Sequence, residues 1–505
     1  MSDSTNSRKM GYVWLLDYYR FEAIPNWHES YLASSSVHRL ETSGNVVREF
    51  YPSARWAGDR PTDQLEFALR YDGINLAILA KVFQKIDEAE LVEYIRSKPT
   101  GKYTRRAWFL YEYLTDHRLP LDDLHQGNYI DLLEAEEYYT LSARRKIQRQ
   151  RINDNLPGNK GFCPLVRRSA ALKKYEKTNL RSKCNEILSG YSPELLKRAL
   201  TYLYNKETKS SFEIEHIVPS STRTARFVSL LHLAEQEDFC EKKRLVELQN
   251  RIVDPRFQED DYRSTQNYVG ETITWREERI HYVSPKPDDL RALMAGLLDA
   301  HKRMNEGAFP PVIHAAAIAF GFVFLHPFED GNGRIHRFLI HNILAKRDYT
   351  PKGLMFPVSA AMVKEPLEYD ASLESFSRPL LSMVEYTIDE KGRMTVHNDT
   401  ALWYRYIDMT AQAEALYGFI EKTIDNELVN ELDFLDHFDK AKKGIQAIVD
   451  MPDKMIELFI HLCLQGNGRL SERKRQSHFT QLTDTEIAQM ESVIQTHTGT
   501  DRRLT

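Results

Sequence analysis

The chain of 505 residues has a net charge of −5, with 42% apolar and 28% charged residues. This is the composition of an ordinary soluble globular protein, and the charge gives no overall bias toward nucleic acid or an anionic membrane. Because one hydrophobic core seldom holds so many residues, two or three domains are expected.

The remaining global features also exclude classes of protein. No uninterrupted apolar run approaches about 18 residues, and the N-terminus lacks the apolar core of a signal peptide, so no membrane partner is expected. The four cysteines are scattered without a CxxC pair, which is typical of a reducing cytoplasm. Glycine and proline are sparse, and long segments are rich in Leu, Ala, Glu, Lys and Arg. These features predict a mainly α-helical fold.

The first 200 residues are predicted to form a helical domain of unknown role. Helical patterns cover residues 65–84, 88–97 and 99–116. From Arg144 to Lys183 the sequence is strongly basic, with only Asp154 and Glu176 as acidic residues. Such a stretch without interleaved aromatic residues is typical of a solvated face or a linker, while contact with nucleic acid remains open.

Two short segments precede the main motif. Residues 208–221, reading TKSSFEIEHIVPSS, predict a short helix flanked by serines and contain Ser211 and Glu215. Residues 272–275 and 279–283 are two strand-like runs around a polar turn, which predicts a β-hairpin. It is the one clearly strand-like region of the sequence.

The most informative stretch is HPFEDGNGRIHR at residues 326–337. An apolar run with Pro at its start precedes it, and a helical pattern that ends in Lys and Arg follows it. The stretch is therefore predicted to be a loop between two helices, the first of which is buried because it is apolar nearly all round.

The second half of this stretch is suited to binding a polyphosphate. Gly331, Asn332 and Gly333 lead into a helix N-terminus, whose free N–H groups and dipole favour anions. Arg334 and Arg337 are three residues apart on that helix, so both can contact the same polyphosphate.

The first half supplies candidates for a metal ligand and a general base. Asp330 is a hard oxygen ligand, suited to a Mg²⁺ ion that bridges phosphate oxygens. His326 has an ordinary pKa near ~6.5 and can accept a proton at neutral pH. Phe328 is expected to face the core and anchor the loop. A zinc site formed by His336 and His341 on one helix face is excluded by spacing, because the two residues are five positions apart rather than four.

The stretch resembles the signature of the Fic domain family, H-x-F-x-(D/E)-G-N-G-R-x-x-R, and matches it at every fixed position. Most members of that family transfer AMP from Mg-ATP to a Ser, Thr or Tyr hydroxyl of a target protein. The relatives that phosphorylate instead have Lys in place of the second Gly, whereas this chain has Gly333. The resemblance therefore implies the AMP-transferring subclass.

The resemblance also implies a role for each residue of the motif. His326 would be the base, Asp330 the Mg²⁺ ligand, and the amides of Gly331, Asn332 and Gly333 the cradle for the transferred phosphate. Arg334 and Arg337 would hold the outer phosphates of ATP.

Many Fic proteins also have an inhibitory helix that reads [S/T]-x-x-x-E-[G/N]. Ser211 and Glu215 match its Ser and Glu, while His216 stands where Gly or Asn is usual. By resemblance, Glu215 would pair with Arg337 and take the place of the γ-phosphate of ATP.

A second implied element is the flap of Fic domains, which holds a target segment by strand pairing. Residues 270–285 match it in position, and Ile280, His281 and Tyr282 are the expected target-binding residues.

The predicted organisation is a central Fic domain at 205–390 between helical domains at 1–200 and 391–505. The last of these contains a second GNG, in HLCLQGNGRLSE (residues 461–472), without the acid or the last arginine of the motif. This GNG is predicted to be a turn that ends one helix before Ser471 caps the next. Successive helices in this region leave a helix-turn-helix or winged-helix domain open.

The function expected from the resemblance is Mg-ATP-dependent transfer of AMP to a protein hydroxyl, restrained by Glu215. Two alternatives remain in the same class, namely transfer of another nucleotide and removal of AMP. A third alternative is a regulator that binds DNA or a partner protein and uses the domain to sense ATP. A homo-oligomer is also left open.

Overall fold

The computed structural model describes residues 7–33, 38–274 and 277–497. Most of these residues are helical, which confirms the prediction of a mainly α-helical protein. Within these ranges, no helix is long and apolar enough to cross a membrane. All four cysteines are buried and have free thiols.

The N-terminal region combines helices with two small sheets. Its elements are β1 (Arg8–Met10), α1 (Gly11–Tyr19), β2 (His28–Leu32), β3 (Arg39–Ser43), β4 (Val46–Tyr51), α2 (Pro61–Phe67), α3 (Leu76–Phe83), α4 (Glu88–Ser97), α5 (Lys102–Thr115), β5 (Ile130–Asp131), β6 (Arg145–Ile147) and β7 (Ile152–Asp154). The first sheet has the order β1-β2-β4-β3, with β2 parallel to β4. The second has the order β5-β7-β6.

Sequence analysis missed both of these sheets. Strand β3 is exposed along its whole length, so its sequence RLETS lacks the apolar alternation of a half-buried strand. Strands β5, β6 and β7 have at most three residues, too few to give a period. The helical patterns predicted at 65–84, 88–97 and 99–116 correspond to α2 and α3, to α4 and to α5.

The central region contains the motif and its supports. Its elements are α6 (Ala170–Thr178), α7 (Leu180–Ser189), α8 (Pro193–Glu213), α9 (Ser221–Leu233), α10 (Lys242–Ile252), β8 (Tyr268–Thr274), β9 (Glu277–Val283), α11 (Pro287–Glu306), α12 (Pro311–Leu325), α13 (Asn332–Lys346), α14 (Val358–Lys364) and α15 (Pro366–Leu381). Strands β8 and β9 pair in an antiparallel hairpin, as predicted. Trp275, which was predicted to belong to the first strand, lies outside the described residues.

Helix α12 is the centre of the main hydrophobic core. Nearly all of its residues are buried, as its apolar sequence predicts. The cluster of buried residues around it includes Leu172 and Leu435, which lie beyond the limits of 205 and 390 predicted for the domain. A second cluster occupies the N-terminal region, and a third extends from Ala441 to Ile494.

The C-terminal region is divided between the main core and the third cluster. Its elements are β10 (Tyr386–Ile388), β11 (Met394–Val396), α16 (Ala401–Arg405), α17 (Thr410–Lys422), α18 (Val429–Gln446), α19 (Asp453–Gln465), α20 (Glu472–His478) and α21 (Asp484–His497). Helix α17 contacts α12, so residues assigned to a separate C-terminal domain belong to the main core. The described residues from 447 to 497 form helices and no strand, so they lack the β-hairpin wing of a winged-helix domain. A helix-turn-helix in this region stays a prediction.

The second GNG is a turn, as predicted. The N–H groups of Gly466 and Gly468 both donate to the Cys463 carbonyl, closing the end of α19. Ser471 occupies the N-cap position of α20, although its side chain makes no capping hydrogen bond.

The basic stretch from Arg144 to Lys183 is not a linker, because it contributes to strands β6 and β7 and to helices α6 and α7. Six of its thirteen basic residues lie in ion pairs with acidic residues of the same chain, namely Arg144 with Asp131, Arg149 with Glu112, Lys160 with Asp116, Arg167 with Asp408, Arg168 with Glu176 and Lys183 with Asp425. Positive charge that is neutralised in this way contributes little to phosphate binding. Contact with nucleic acid stays a prediction without support from these residues.

We predict that Gly296→Ala destabilises the protein, because α11 contacts the loop at Gly161 with no room for a side chain. A Cβ atom at Gly296 would lie 2.4 Å from the Gly161 carbonyl carbon and 2.6 Å from the Phe162 nitrogen. Forcing the two backbones apart should cost about 1–3 kcal/mol, measured as a lower midpoint of thermal unfolding.

The matched control is Gly190→Ala, at the end of α7. Its Cβ would meet its nearest neighbour at 3.4 Å, and Gly190 has an ordinary helical φ of −78°. Equal melting temperatures for the two variants would contradict the proposed close approach.

Candidate active site

The loop between α12 and α13 has the predicted position, and its two ends have left-handed backbone conformations. His326 follows the last residue of α12 with φ 49°, and Gly331 precedes α13 with φ 91°. The first conformation is uncommon for a residue with a side chain, whereas Gly adopts the second at no steric cost. The chain therefore reverses direction within residues 326–331.

The Asn332 side chain holds this loop closed. Its Oδ1 accepts the Phe328 N–H at 3.0 Å, and its Nδ2 donates to the Phe328 carbonyl at 2.6 Å. Phe328 itself is fully buried, as predicted. Because the side-chain amide of Asn332 is already hydrogen-bonded to Phe328, Asn332 can contact a phosphate only through its backbone N–H.

His326 is oriented and tuned as a proton acceptor. Its Nδ1–H donates to the Val323 carbonyl at 3.1 Å, so Nε2 is the nitrogen that can accept a proton. Burial lowers the pKa of His326 to about 4, and the positive charge of Arg263 acts in the same direction. At neutral pH the imidazole is therefore uncharged.

Arg263 is a site residue that sequence analysis missed. It is almost completely buried, and its guanidinium donates to the carbonyls of His326 at 2.8 Å, Thr265 at 2.6 Å and Pro285 at 2.7 Å. Its own N–H donates to the Pro327 carbonyl. Arg263 thus ties the loop between α12 and α13, which we call the catalytic loop after its expected role, to the segments just before β8 and just after β9. In the sequence it is one arginine in a polar loop, with no motif around it.

Arg334 and Arg337 converge on one carboxylate, that of Glu215. Arg334 Nε lies 2.7 Å from Glu215 Oε2, and Arg337 Nη2 lies 2.7 Å from Glu215 Oε1. The two arginine side chains are 0% and 1% exposed, and that of Glu215 is 23% exposed. The expected contact between Glu215 and Arg337 is present, and Arg334 adds a second one.

Ser211 also contacts Arg337, one turn before Glu215. Arg337 Nε donates to Ser211 Oγ at 2.8 Å, and Nη2 donates to the Ser211 carbonyl at 2.6 Å. Burial works against the charged form of Arg337, but Glu215 and Tyr369 raise its pKa above the ordinary value. Ser211 and Glu215 therefore contact the motif as a pair from the end of α8.

His216 takes the backbone conformation that a glycine usually supplies at this place. Its φ is 55°, its N–H donates to the Glu213 carbonyl, and the Ile217 N–H donates to the Phe212 carbonyl. This is the hydrogen-bond pattern of a Schellman motif. The departure from Gly or Asn at position 216 thus leaves the helix end intact and Glu215 in place.

The Glu215 carboxylate lies directly over the first turn of α13. A Cβ atom at Gly333 would lie 2.6 Å from Glu215 Oε1 and 3.2 Å from Arg337 Nη1. The space above Gly333 therefore holds negative charge at a helix N-terminus, between two arginines. This is the kind of place where proteins bind phosphate.

Asp330 fits the role of a ligand for a hard cation. Its Oδ1 accepts hydrogen bonds from the Gly331 N–H at 2.6 Å and from Arg334 Nη2 at 2.7 Å. The described contacts involve Oδ1, and the side chain is 48% exposed, so Oδ2 is open to an incoming ion. A carboxylate oxygen beside a phosphate site is the donor that Mg²⁺ prefers.

The hairpin and α15 form the walls of a cavity of about 350 Å³ at His326. Asp370 and Leu373 of α15 line this cavity. The three residues expected to bind a target have different environments. Tyr282 is buried and its hydroxyl donates to the Phe324 carbonyl, Ile280 packs against the core, and the His281 side chain is half exposed.

Comparison with known proteins gives a match in the region of this site. Residues 239–344 match the model of the Fic/DOC family. The curated relatives include two proteins named protein adenylyltransferase Fic. One, from Culex quinquefasciatus, is 34% identical over 125 residues, and the other, from Aedes aegypti, is 33% identical over 122 residues. Each alignment covers 24% of this chain and 22% of the relative, so the match spans about a fifth of the relatives' length.

Two solved structures are similar to the chain as well. A Fic family protein from Desulfovibrio desulfuricans is 21% identical, with a TM-score of 0.36, over 59% of this chain and 86% of its own. A Fic-domain-containing signaling protein from Bacteroides thetaiotaomicron is 19% identical, with a TM-score of 0.37, over 51% and 96%.

We predict that Arg263→Met loosens the hairpin and the catalytic loop together. The change removes three buried hydrogen bonds, and carbonyls left unsatisfied cost about 1–3 kcal/mol each. Hydrogen–deuterium exchange should become faster in residues 265–285 and 326–331. The control is Arg291→Met, since Arg291 pairs with Asp261 nearby but is mostly exposed. The same exchange pattern in both variants would contradict a special role of Arg263.

Proposed function

Residues 239–344 form a domain of the Fic/DOC family, and we propose that the protein is an adenylyltransferase that transfers AMP from Mg-ATP to a protein hydroxyl. One observation carries the proposal. The Glu215 carboxylate lies over Gly333 between Arg334 and Arg337, where the resemblance to the Fic family implies that the outer phosphates of ATP bind. A site that binds its own carboxylate with two buried arginines is suited to a phosphate of the same charge.

His326 acts as the general base in the proposed reaction. Its Nε2 accepts the proton of the target hydroxyl, and the hydroxyl oxygen attacks the α-phosphorus of ATP. A bond forms between that oxygen and the α-phosphorus, while the bond from the α-phosphorus to the bridging oxygen of pyrophosphate breaks. The neutral state of His326 at pH 7 supports this role.

The loop and helix α13 stabilise the charge that develops. The N–H groups of Asn332 and Gly333 bind the transferred phosphate, and that of Gly331 can join them once it releases Asp330 Oδ1. Arg334 and Arg337 hold the departing pyrophosphate. Asp330 holds the Mg²⁺ that accompanies ATP, and this ion neutralises phosphate charge when it is bound.

Glu215 restrains this reaction as an intramolecular competitor. While its carboxylate pairs with both arginines, the outer phosphates of ATP cannot take their place over Gly333. ATP then binds in a pose that does not react. Ser211 helps to hold Arg337 in the paired position.

The target protein binds along the hairpin. In the described residues this hairpin is a two-stranded sheet, so an extended segment can add to it by main-chain hydrogen bonds. The segment would place a Ser, Thr or Tyr hydroxyl in the cavity at His326. The half-exposed His281 lines this cavity, where it can contact the target segment. Tyr282 is buried and donates to the Phe324 carbonyl at the end of α12.

Two alternatives within the same class use the same residues, namely transfer of another nucleotide and removal of AMP from a protein. The regulator alternative depended on the basic stretch from Arg144 to Lys183 and on a C-terminal winged helix. Six of the thirteen basic residues are paired with acidic residues of the chain, and the described residues from 447 to 497 contain no strand. His326 also favours AMP transfer over this alternative, because binding alone needs no base.

We predict that Glu215→Gly switches labelling on. In a cell lysate supplied with Mg²⁺ and α-³²P-ATP, the wild type should transfer little label because its arginines are occupied. Glu215→Gly should label protein at least about tenfold faster, and Glu215→Gly with His326→Ala should lose the label again. Autoradiography and intact mass identify the product.

The matched control is Glu213→Gly, which removes an exposed glutamate from the same helix end. It should behave as the wild type. Equal labelling by wild type and Glu215→Gly would contradict the restraint and leave the transfer intact. The absence of label in every variant would contradict the transfer of AMP, and γ-³²P-ATP and other labelled nucleotides would then test the alternatives.

We predict that the labelling rate of Glu215→Gly is nearly independent of pH between about 6 and 8 at saturating Mg-ATP. The pKa of His326 is lowered to about 4, so the neutral base persists far below the ordinary pKa of a histidine. Initial rates across that range are the measurement. A rate that halves near pH 6.5 would contradict the low pKa.

A further inference from the structure

A second cluster of chemically active side chains lies away from the catalytic loop. Asp238 and Cys240 belong to the loop between α9 and α10, and His301 belongs to α11. The carboxylate, thiol and imidazole donor atoms all lie within 4.8 Å of one another. Asp238 Oδ2 and His301 Nε2 are 3.1 Å apart.

The cluster combines buried donors with a path to solvent. Cys240 and His301 are 2% and 5% exposed, while the Asp238 side chain is 41% exposed. An ion can therefore enter from the Asp238 side and reach donors that are largely shielded from water.

The loop that carries two of the donors is fixed before any ion binds. The Phe239 N–H donates to Asn342 Oδ1 at 3.1 Å, and Asn342 Nδ2 donates to the carbonyls of Ala234 and Glu237. The Cys240 N–H donates to Asp238 Oδ1 at 2.8 Å. Binding would thus cost little ordering of the backbone.

His301 also has a hydrogen-bond partner on its other ring nitrogen. Its Nδ1 lies 3.0 Å from Nε2 of the buried His314, and His314 Nδ1 lies 3.3 Å from Arg347 Nη1. A hydrogen bond of this kind orients an imidazole toward an ion. Arg347 does not depend on His314, since it also donates to the carbonyls of Met304 and Phe309.

We propose that Asp238, Cys240 and His301 bind one divalent ion of the zinc class, with a solvent molecule as the fourth ligand. A thiolate and an imidazole select such ions over Mg²⁺. The thiolate and the carboxylate together balance the charge of the ion. The candidate site is a structural clamp between the loop before α10 and helix α11.

The proton balance of this step is simple. Arg347 donates to His314 Nδ1 in the metal-free form, so His314 Nε2–H donates to His301 Nδ1 and His301 Nε2–H donates to Asp238. Metal binding needs a free Nε2 on His301, so both imidazoles move their proton to Nδ1. The hydrogen bond from Arg347 to His314 Nδ1 is then lost, and Arg347 keeps its bonds to the carbonyls of Met304 and Phe309. Cys240 loses its thiol proton to solvent, and one proton leaves for each ion that binds.

This clamp is separate from the proposed catalysis. His314 lies at the start of α12 and Asn342 near the end of α13, whereas the catalytic loop joins the opposite ends of the same two helices. Zinc binding and AMP transfer can therefore fail independently.

The experiment measures metal binding by the untagged full-length protein after treatment with a chelator. Titration with Zn²⁺ against a chromophoric chelator should give one tightly bound ion per chain, and Zn²⁺ should raise the melting temperature. Co²⁺ should give a thiolate-to-cobalt charge-transfer band. Cys240→Ser should abolish this band, and Asp238→Asn should weaken binding at least about tenfold.

The control is Cys184→Ser, a change at another buried free cysteine far along the chain. It should keep the ion and the cobalt band. Should Cys240→Ser fail to fold, the exposed Asp238→Asn variant carries the test alone. Absence of stoichiometric Zn²⁺ binding, or binding that neither change weakens, would overturn the proposal.

Discussion

The ion pairs of Glu215 with Arg334 and Arg337 are the interaction on which the active-site region depends. Two guanidinium groups with almost no exposure need an anion, because an unpaired buried charge costs several kcal/mol. Glu215 supplies that anion in the structure described here. Its removal leaves Arg337 without its carboxylate partner and Arg334 with Asp330 alone, so the stability of such a variant should depend on a bound phosphate more than that of the wild type. Restraint and stability thus come from the same contact.

The rest of the domain keeps these charges in register with His326. The buried α12 and α13 fix the two ends of the loop, Asn332 closes it, and Arg263 joins it to the hairpin. Each of these residues uses its polar groups on backbone atoms. The base and the phosphate site are therefore positioned by hydrogen bonds to the main chain, while the groups proposed to meet substrate remain available.

Much of the site could be predicted from the sequence because its residues are local. The base, the acid, the glycines and both arginines lie within twelve consecutive residues, and a helix N-terminus brings them together. The contact of Glu215 with Arg337 could be predicted because the inhibitory motif has a fixed spacing, although His216 departs from that motif. The αL conformation of His216 shows that backbone geometry at a helix end can be kept without Gly or Asn.

Other features could not be predicted, since their partners are distant in sequence. The Arg263 guanidinium contacts carbonyls up to 63 residues away, and nothing in the residues beside it indicates that role. The first N-terminal sheet contains the exposed strand β3, whose sequence has no apolar alternation. Arg167 and Lys183 of the basic stretch pair with Asp408 and Asp425, which are more than 200 residues away in sequence. The main hydrophobic core also extends beyond the limits of 205 and 390 predicted for the central domain. Helix α17, which lies after residue 390, contacts α12.

The most direct test of the central claim is a crystal structure of Glu215→Gly with Mg²⁺ and a non-hydrolysable ATP analogue, compared with the wild type treated alike. The account predicts that the terminal phosphate of the variant lies over Gly333 between Arg334 and Arg337, and that Glu215 keeps this place in the wild type. Terminal phosphates in the same position in both proteins, or bound away from the two arginines in the variant, would contradict it.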